Sequence, residues 1–331
     1  MYFSVNTSYK IQMEKRYIFY HHGGSGNHGC EAIVRSVVKI LGKHVELISF
    51  RPEDDYKYGL DKVVSSIHKV KEIGKSGVMR GYLYVMRHFF RNKKPDYKYQ
   101  FKDVVNSKEK VAISIGGDLY CGEDTESLTY INKLVSKENV SVLLGCSIEP
   151  EKLKDSKIVD DMRRYHLISA RESITYSALI NAGVKENVIL CADPAFQLDT
   201  IELPLPSGFE KENTVGINVS PLVIMREKQN GILMKTYDNL IQYIIDNTNY
   251  QMALIPHVVW QKKGCVKRHQ NTVTTTICGI VLSLNSSFIF FMTLFGREIR
   301  KTHRLELKPF QSYFFSFSEG DMEMLLQILV P

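Results

Sequence analysis

Asn27, Asp118, Arg171 and Asp193 each stand just behind a short apolar run. Arg171 has the most direct chemistry of the four. A guanidinium forks onto phosphate or carboxylate through parallel hydrogen bonds, so Arg171 suits an anion clamp. An ion pair with Glu172 or Asp193 is the plainer use of the same side chain. His257 follows a strand-like run and Pro256. A histidine titrating near neutrality can serve there as acid or base, and a buried structural histidine fits the position equally.

The elements behind these residues explain why they gather. Tyr17–Tyr20 is an aromatic and β-branched run that suits a buried strand. Gly23, Gly24, Gly26 and Gly29 crowd the turn behind it, and Ile33, Val34, Val37, Val38 and Leu41 then recur at helical spacing. A helix N-terminus offers unpaired N–H groups and a positive charge of roughly half a unit. The unit therefore fits an anionic ligand near residues 24–32, or simply a tight corner. It is neither Gly-x-Gly-x-x-Gly nor a P-loop.

The same alternation continues. Val45–Phe50, Val111–Ile115, Val140–Gly145, Tyr165–Ser169 and Val188–Cys191 read as strands, with helices near Ser127–Ser136 and from Ser173 to Ala182. Residues 51–108 are polar apart from a helical patch at Val78–Phe90, whose Tyr82, Tyr84, His88, Phe89 and Phe90 could line a groove, with the packing of an amphipathic helix the favoured reading. Strands alternating with helices predict an α/β fold with a mostly parallel, Rossmann-like sheet. In such sheets ligands bind beyond the carboxyl ends of the strands, where the four polar residues fall. A linker with Pro204 and Pro206 precedes a second strand–helix–strand pattern at Val215–Val219, Tyr237–Asp246 and Met252–Ile255. The expected domains are a disordered lead-in over 1–15, a Rossmann-like domain over 16–200, and the start of a second over 214–260.

Composition narrows the function classes. The chain has 331 residues, 44% hydrophobic and 24% charged, with a net charge of +7. That is ordinary globular composition, and no basic stripe points to nucleic acid. Six scattered cysteines form no CxxC pair, and no metal-ligand spacing appears. Cys146 and Cys191 sit in apolar runs that predict buried thiols. The N-terminus lacks the apolar core of a signal peptide, which makes the cytoplasm the expected compartment.

Five short motifs occur in order: Gly26-Asn27-His28-Gly29-Cys30-Glu31-Ala32-Ile33, Ile115-Gly116-Gly117-Asp118, Ser169-Ala170-Arg171-Glu172-Ser173, Ala192-Asp193-Pro194-Ala195-Phe196 and Ile255-Pro256-His257. Together they resemble the polysaccharide pyruvyl transferase family, over about residues 16–260. The family commonly carries Asp where Cys30 stands. The resemblance implies a GT-B-like pair of Rossmann-like domains. It also implies transfer of a pyruvyl group from phosphoenolpyruvate, as donor substrate without a further cofactor or metal, to sugar hydroxyls of a surface polysaccharide or its lipid-linked precursor. Such an acceptor would bring the chain to the inner face of the membrane. Arg171 and His257 are then the implied catalytic residues. Gly26, Asn27, His28, Gly29, Gly117, Asp118, Ser173 and Asp193 are the implied substrate-binding residues. Asp118 and Asp193 can orient sugar hydroxyls, although helix capping is the commoner work of such residues. A GT-B-like glycosyltransferase using a nucleotide sugar, or a remnant that only binds ligand, are the alternatives.

Beyond Trp260 the pattern changes. Residues 247–297 contain no Asp or Glu, where the chain-wide frequency predicts about five or six. Ile277–Phe295 is uncharged, but Asn285, Ser286 and Ser287 at its centre weaken a membrane-spanning reading. The family's later basic and histidine motif has no counterpart in context. Residues 261–331 therefore read as an atypical tail, consistent with an altered reading frame and an incomplete C-terminal domain.

Overall fold

A computed structural model of the chain describes residues 16–42, 44–73, 77–122, 125–201, 209, 212–218, 227–254 and 258. The lead-in over 1–15, His257 and the tail over 261–331 lie outside the described residues.

Seven parallel strands form the main sheet: β1 (Tyr17–His22), β2 (Val45–Ser49), β3 (Ser66–Lys69), β4 (Val111–Ser114), β5 (Val140–Cys146), β6 (Leu167–Ala170) and β7 (Val188–Leu190). Their order is β3-β2-β1-β4-β5-β6-β7. The chain builds outward from β1 to β3, then returns to lay β4 on the other side of β1. The crevice between β1 and β4 is thus the topological switch point, where open parallel sheets hold ligands.

Helices α1 (His28–Leu41), α2 (Pro52–Lys57), α3 (Val78–His88), α4 (Lys94–Gln100), α5 (Lys102–Val105), α6 (Glu126–Val135), α7 (Ser156–Met162) and α8 (Ser173–Asn181) make the connections. Strand alternation divides the core between two faces. Tyr17, Phe19, Leu47 and Ile113 pack with Val34 and Val37 of α1. Ile18, Tyr20, Ile48 and Ala112 pack with Val104, Ile131 and Val135 from α5 and α6. Every residue of β1 is buried, as expected for a central strand covered on both faces.

Two strands are bent near their carboxyl ends. His21 has φ 64° and Gly145 has φ 61°, and the pairing register shifts at both places. Such bulges re-aim the residues that follow. His21 is anchored by Nδ1 to Ser114 Oγ at 2.9 Å, which ties the ends of β1 and β4 together. Burial lowers its pKa to about 3, so the ring is neutral. His22 Nε2 donates to Asp55 Oδ1 at 2.8 Å, and both groups are buried.

The chain divides into two compact units. The first holds the seven-stranded sheet, within residues 16–24 and Ala32–Leu198. The second takes Ser25–Glu31 together with the described residues from Asp199 onward. Its regular part is a βαβ unit: β8 (Thr214–Ile217), α9 (Ile232–Asn247) and β9 (Gln251–Leu254), with β8 and β9 parallel. Ile217, Ile241, Ile244 and Met252 form its core.

Two expectations change. Residues 51–108 contain an edge strand, β3, that the sequence does not announce: Ser66-Ile-His-Lys carries one apolar residue. The aromatic helical patch is α3, but it does not pack as expected. Leu83 is its one buried side chain, while Tyr82, Tyr84, His88, Phe89 and Phe90 are exposed.

Candidate functional site

Arg171 leaves the end of β6, next to the loops that follow β4, β5 and β7. Its Nε donates to Ser147 Oγ at 2.8 Å and its Nη1 donates to Asp193 Oδ2 at 2.9 Å. Nη2 has no hydrogen bond among the described residues. The guanidinium lies on Gly117, close enough that a Cβ there would meet Nη1 at 2.5 Å and Cζ at 3.0 Å. The structure thus brings together three sequence-predicted residues, Gly117, Arg171 and Asp193.

Each partner is itself held. Asp193 Oδ1 accepts from Ala195 N at 2.9 Å and caps the 3-10 turn Pro194–Gln197, so its two oxygens do separate work. Ser147 N donates to Gly117 O at 2.6 Å, which joins the β4 and β5 loops. The left-handed turn at Gly145 precedes Ser147, and Pro194 Cδ fills the space where a side chain at Gly145 would stand. The Arg171–Asp193 pair is partly solvated, with side chains 28% and 20% exposed, so a ligand can reach it.

The residue after the clamp secures the next helix. Glu172 caps α8, accepting from Ile174 N at 2.7 Å and Thr175 N at 3.0 Å. Burial opposes its charge, but these bonds outweigh that cost and hold the carboxyl below its usual range. Asp118 is exposed directly behind Gly117. Cys121 donates Sγ–H to Ser147 O at 3.3 Å. Burial, with the Asp118 and Glu149 carboxylates, raises its thiol pKa, so it is no ready nucleophile. Ser173 is exposed at the start of α8, on a shallow groove shared with Pro150, Lys154, Ile174 and Ser177 rather than against the guanidinium.

The glycine turn belongs to the second unit and is organised around Asn27. Its Oδ1 accepts from Gly29 N at 3.1 Å and its carbonyl from Glu31 N at 3.1 Å, so Asn27 caps α1. His28 Nδ1 and Glu31 Oε2 are 3.1 Å apart on the first turn of that helix. Gly26 is buried beside them. A carboxylate and a cap thus use part of what an anion would find at this helix end. Asn27 also pairs antiparallel with Val258, the residue after His257.

Sequence reading missed Ser147. The signal was present, a polar residue just behind the apolar run of β5, but the bulge at Gly145 sets where it points. Among the described residues no group of three or more His, Cys, Asp or Glu is placed to hold a metal ion. No described helix is long and apolar enough to cross a membrane.

A comparison with curated protein sequences returned no match. The family model for polysaccharide pyruvyl transferases matches residues 27–259, a span that starts at the Asn27 cap and takes in the whole Gly117–Ser147–Arg171–Asp193 cluster; the chain belongs to the polysaccharide pyruvyl transferase family.

Proposed function

We propose that the chain moves a pyruvyl group from phosphoenolpyruvate to two hydroxyls of a sugar, in a surface polysaccharide or its lipid-linked precursor. The observation that supports this reading is the held guanidinium of Arg171, whose side chain is partly exposed and whose Nη2 has no hydrogen bond among the described residues. The donor carries a phosphate and a carboxylate, and a fork of N–H donors is the protein group that best matches either.

The reaction needs a proton on the methylene carbon of the enol, which leaves an oxocarbenium-like centre for a sugar hydroxyl to attack. Loss of phosphate and attack by a second hydroxyl close the ketal. Arg171 neutralises the donor's charge and orients it. His257 is the proposed acid or base. Asp118 and Asp193 are proposed to face the acceptor, since carboxylate groups suit hydroxyls better than phosphate.

Binding is measured on the full chain by calorimetry, with phosphoenolpyruvate and a nucleotide sugar as separate probes. Phosphoenolpyruvate binds, and Arg171→Lys weakens it about tenfold or more because an ammonium cannot fork. Binding of a nucleotide sugar with none of phosphoenolpyruvate overturns the reading in favour of a glycosyltransferase. Sustained phosphate release in the presence of glycan acceptors separates an enzyme from a remnant that only binds.

A further inference from the structure

Helix α3 is an unusual surface element. Nine of its eleven residues are exposed and only Leu83 is buried. Val78, Tyr82 and Val85, at i, i+4 and i+7, share one stripe, and they are 92%, 50% and 41% exposed. Phe89 and Phe90 follow the helix end at 76% and 68% exposure. A run of large apolar side chains this bare is an interaction surface.

Its charge says what covers it. Residues 77–95 contain Arg80, Arg87, Arg91, Lys93 and Lys94 and no Asp or Glu. Arg87 is taken by Asp96 at 2.9 Å, which pins α3 to α4 and leaves the other four cations on the surface. Exposed Tyr and Phe beside a cluster of Arg and Lys that have no ion-pair partner among the described residues match the interface of an anionic bilayer, where aromatic rings sit at headgroup depth and cations meet lipid phosphates. A protein partner would have to supply both an apolar groove and several acids, and a second copy of this basic segment would meet it with like charge.

We propose that α3 and the following turn through Lys94 form a membrane-surface anchor, lying in the headgroup layer of an anionic bilayer with Val78, Tyr82, Val85, Phe89 and Phe90 inserted. The anchor is peripheral: an 11-residue helix cannot span. It needs neither phosphoenolpyruvate nor a sugar, so its failure and the failure of the donor reading are separable.

The test is sedimentation of the full chain with vesicles of phosphatidylcholine, with and without phosphatidylglycerol. The chain partitions onto the anionic vesicles, and raised salt weakens this. Phe89→Ser with Phe90→Ser, and separately Arg80→Glu with Arg91→Glu and Lys93→Glu, each lower the partition coefficient by about tenfold or more. All five side chains are exposed, so thermal melts of both variants stay at the parent value. No binding to anionic vesicles overturns the proposal, as does binding that both variants retain. A dimer seen by light scattering and dispersed by the double serine variant, without vesicle binding, assigns the face to a second copy and equally overturns it.

Discussion

Gly117→Ala is the sharpest test of the Arg171 site. The added Cβ would lie 2.5 Å from Nη1, and ordinary contact begins near 3.4 Å, so the guanidinium must retreat by about 0.9 Å. It can do so only by loosening its bonds to Ser147 and Asp193, which hold it in place. The cost to the fold is still small. A partly exposed ion pair is worth about 0–1 kcal/mol, and the end of a long side chain can give way to a methyl without moving backbone. The cost to function is larger. Spoiling a hydrogen bond between a charged side chain and an anionic ligand costs about 1.5–3 kcal/mol, or about 10–100-fold in binding. Calorimetric titration with phosphoenolpyruvate and urea melts of the same preparation read the two quantities side by side. The expected result is binding weakened by about 10–100-fold, with stability within about 1 kcal/mol of the parent. Unchanged binding would refute the placement of the ligand at this guanidinium. A loss of stability above about 3 kcal/mol would show that position 117 serves packing instead.

Two further predictions concern the bent strand ends. Gly145→Ala meets both the left-handed backbone, φ 61°, and Pro194 Cδ at 2.8 Å, and should destabilise by about 2–4 kcal/mol in urea melts. His21 is neutral in the fold with its pKa lowered to about 3, against about 6.5 unfolded. The unfolded chain therefore binds the extra proton first, and stability falls as pH drops from about 6.5 toward 3. Between pH 6.5 and 5 the parent should lose about 2 kcal/mol more than His21→Asn, a residue that tolerates the same backbone conformation. Parallel pH profiles for the two proteins would remove His21 as the cause.

The legible parts of the fold were those where burial acts on both faces. β1, β4 and β5 lie inside the sheet, so their residues are apolar almost throughout and stand out as runs. β3 sits at the edge, half-exposed, and Ser66-Ile-His-Lys looks like any polar loop. Periodicity revealed α3 but could not say what its apolar stripe meets. A stripe facing solvent and a stripe facing the core have the same spacing, and only the structure shows Phe89 and Phe90 bare. Ser147 and His21 depend on bulges, and a bulge follows from backbone pairing rather than from side-chain pattern.

The sequence also left Arg171 between two uses, an anion clamp and an ion pair with a neighbouring acid. The pair with Asp193 exists, yet it does not account for the local design. A partly solvated ion pair needs no empty space beside it. Gly117 is not among the glycines with positive φ, so its backbone does not require glycine. What requires glycine there is the guanidinium resting on its α-carbon. Ser147 fixes Nε and Asp193 fixes one Nη1 hydrogen, which sets the plane of the fork and leaves Nη2 without a hydrogen bond among the described residues. A group held from two sides, over a position kept free of side chain, has already lost the rotamer freedom that binding would otherwise cost. The ion pair and the clamp are then one arrangement: Asp193 aims the guanidinium, and the remaining donors are what a phosphate or carboxylate would meet.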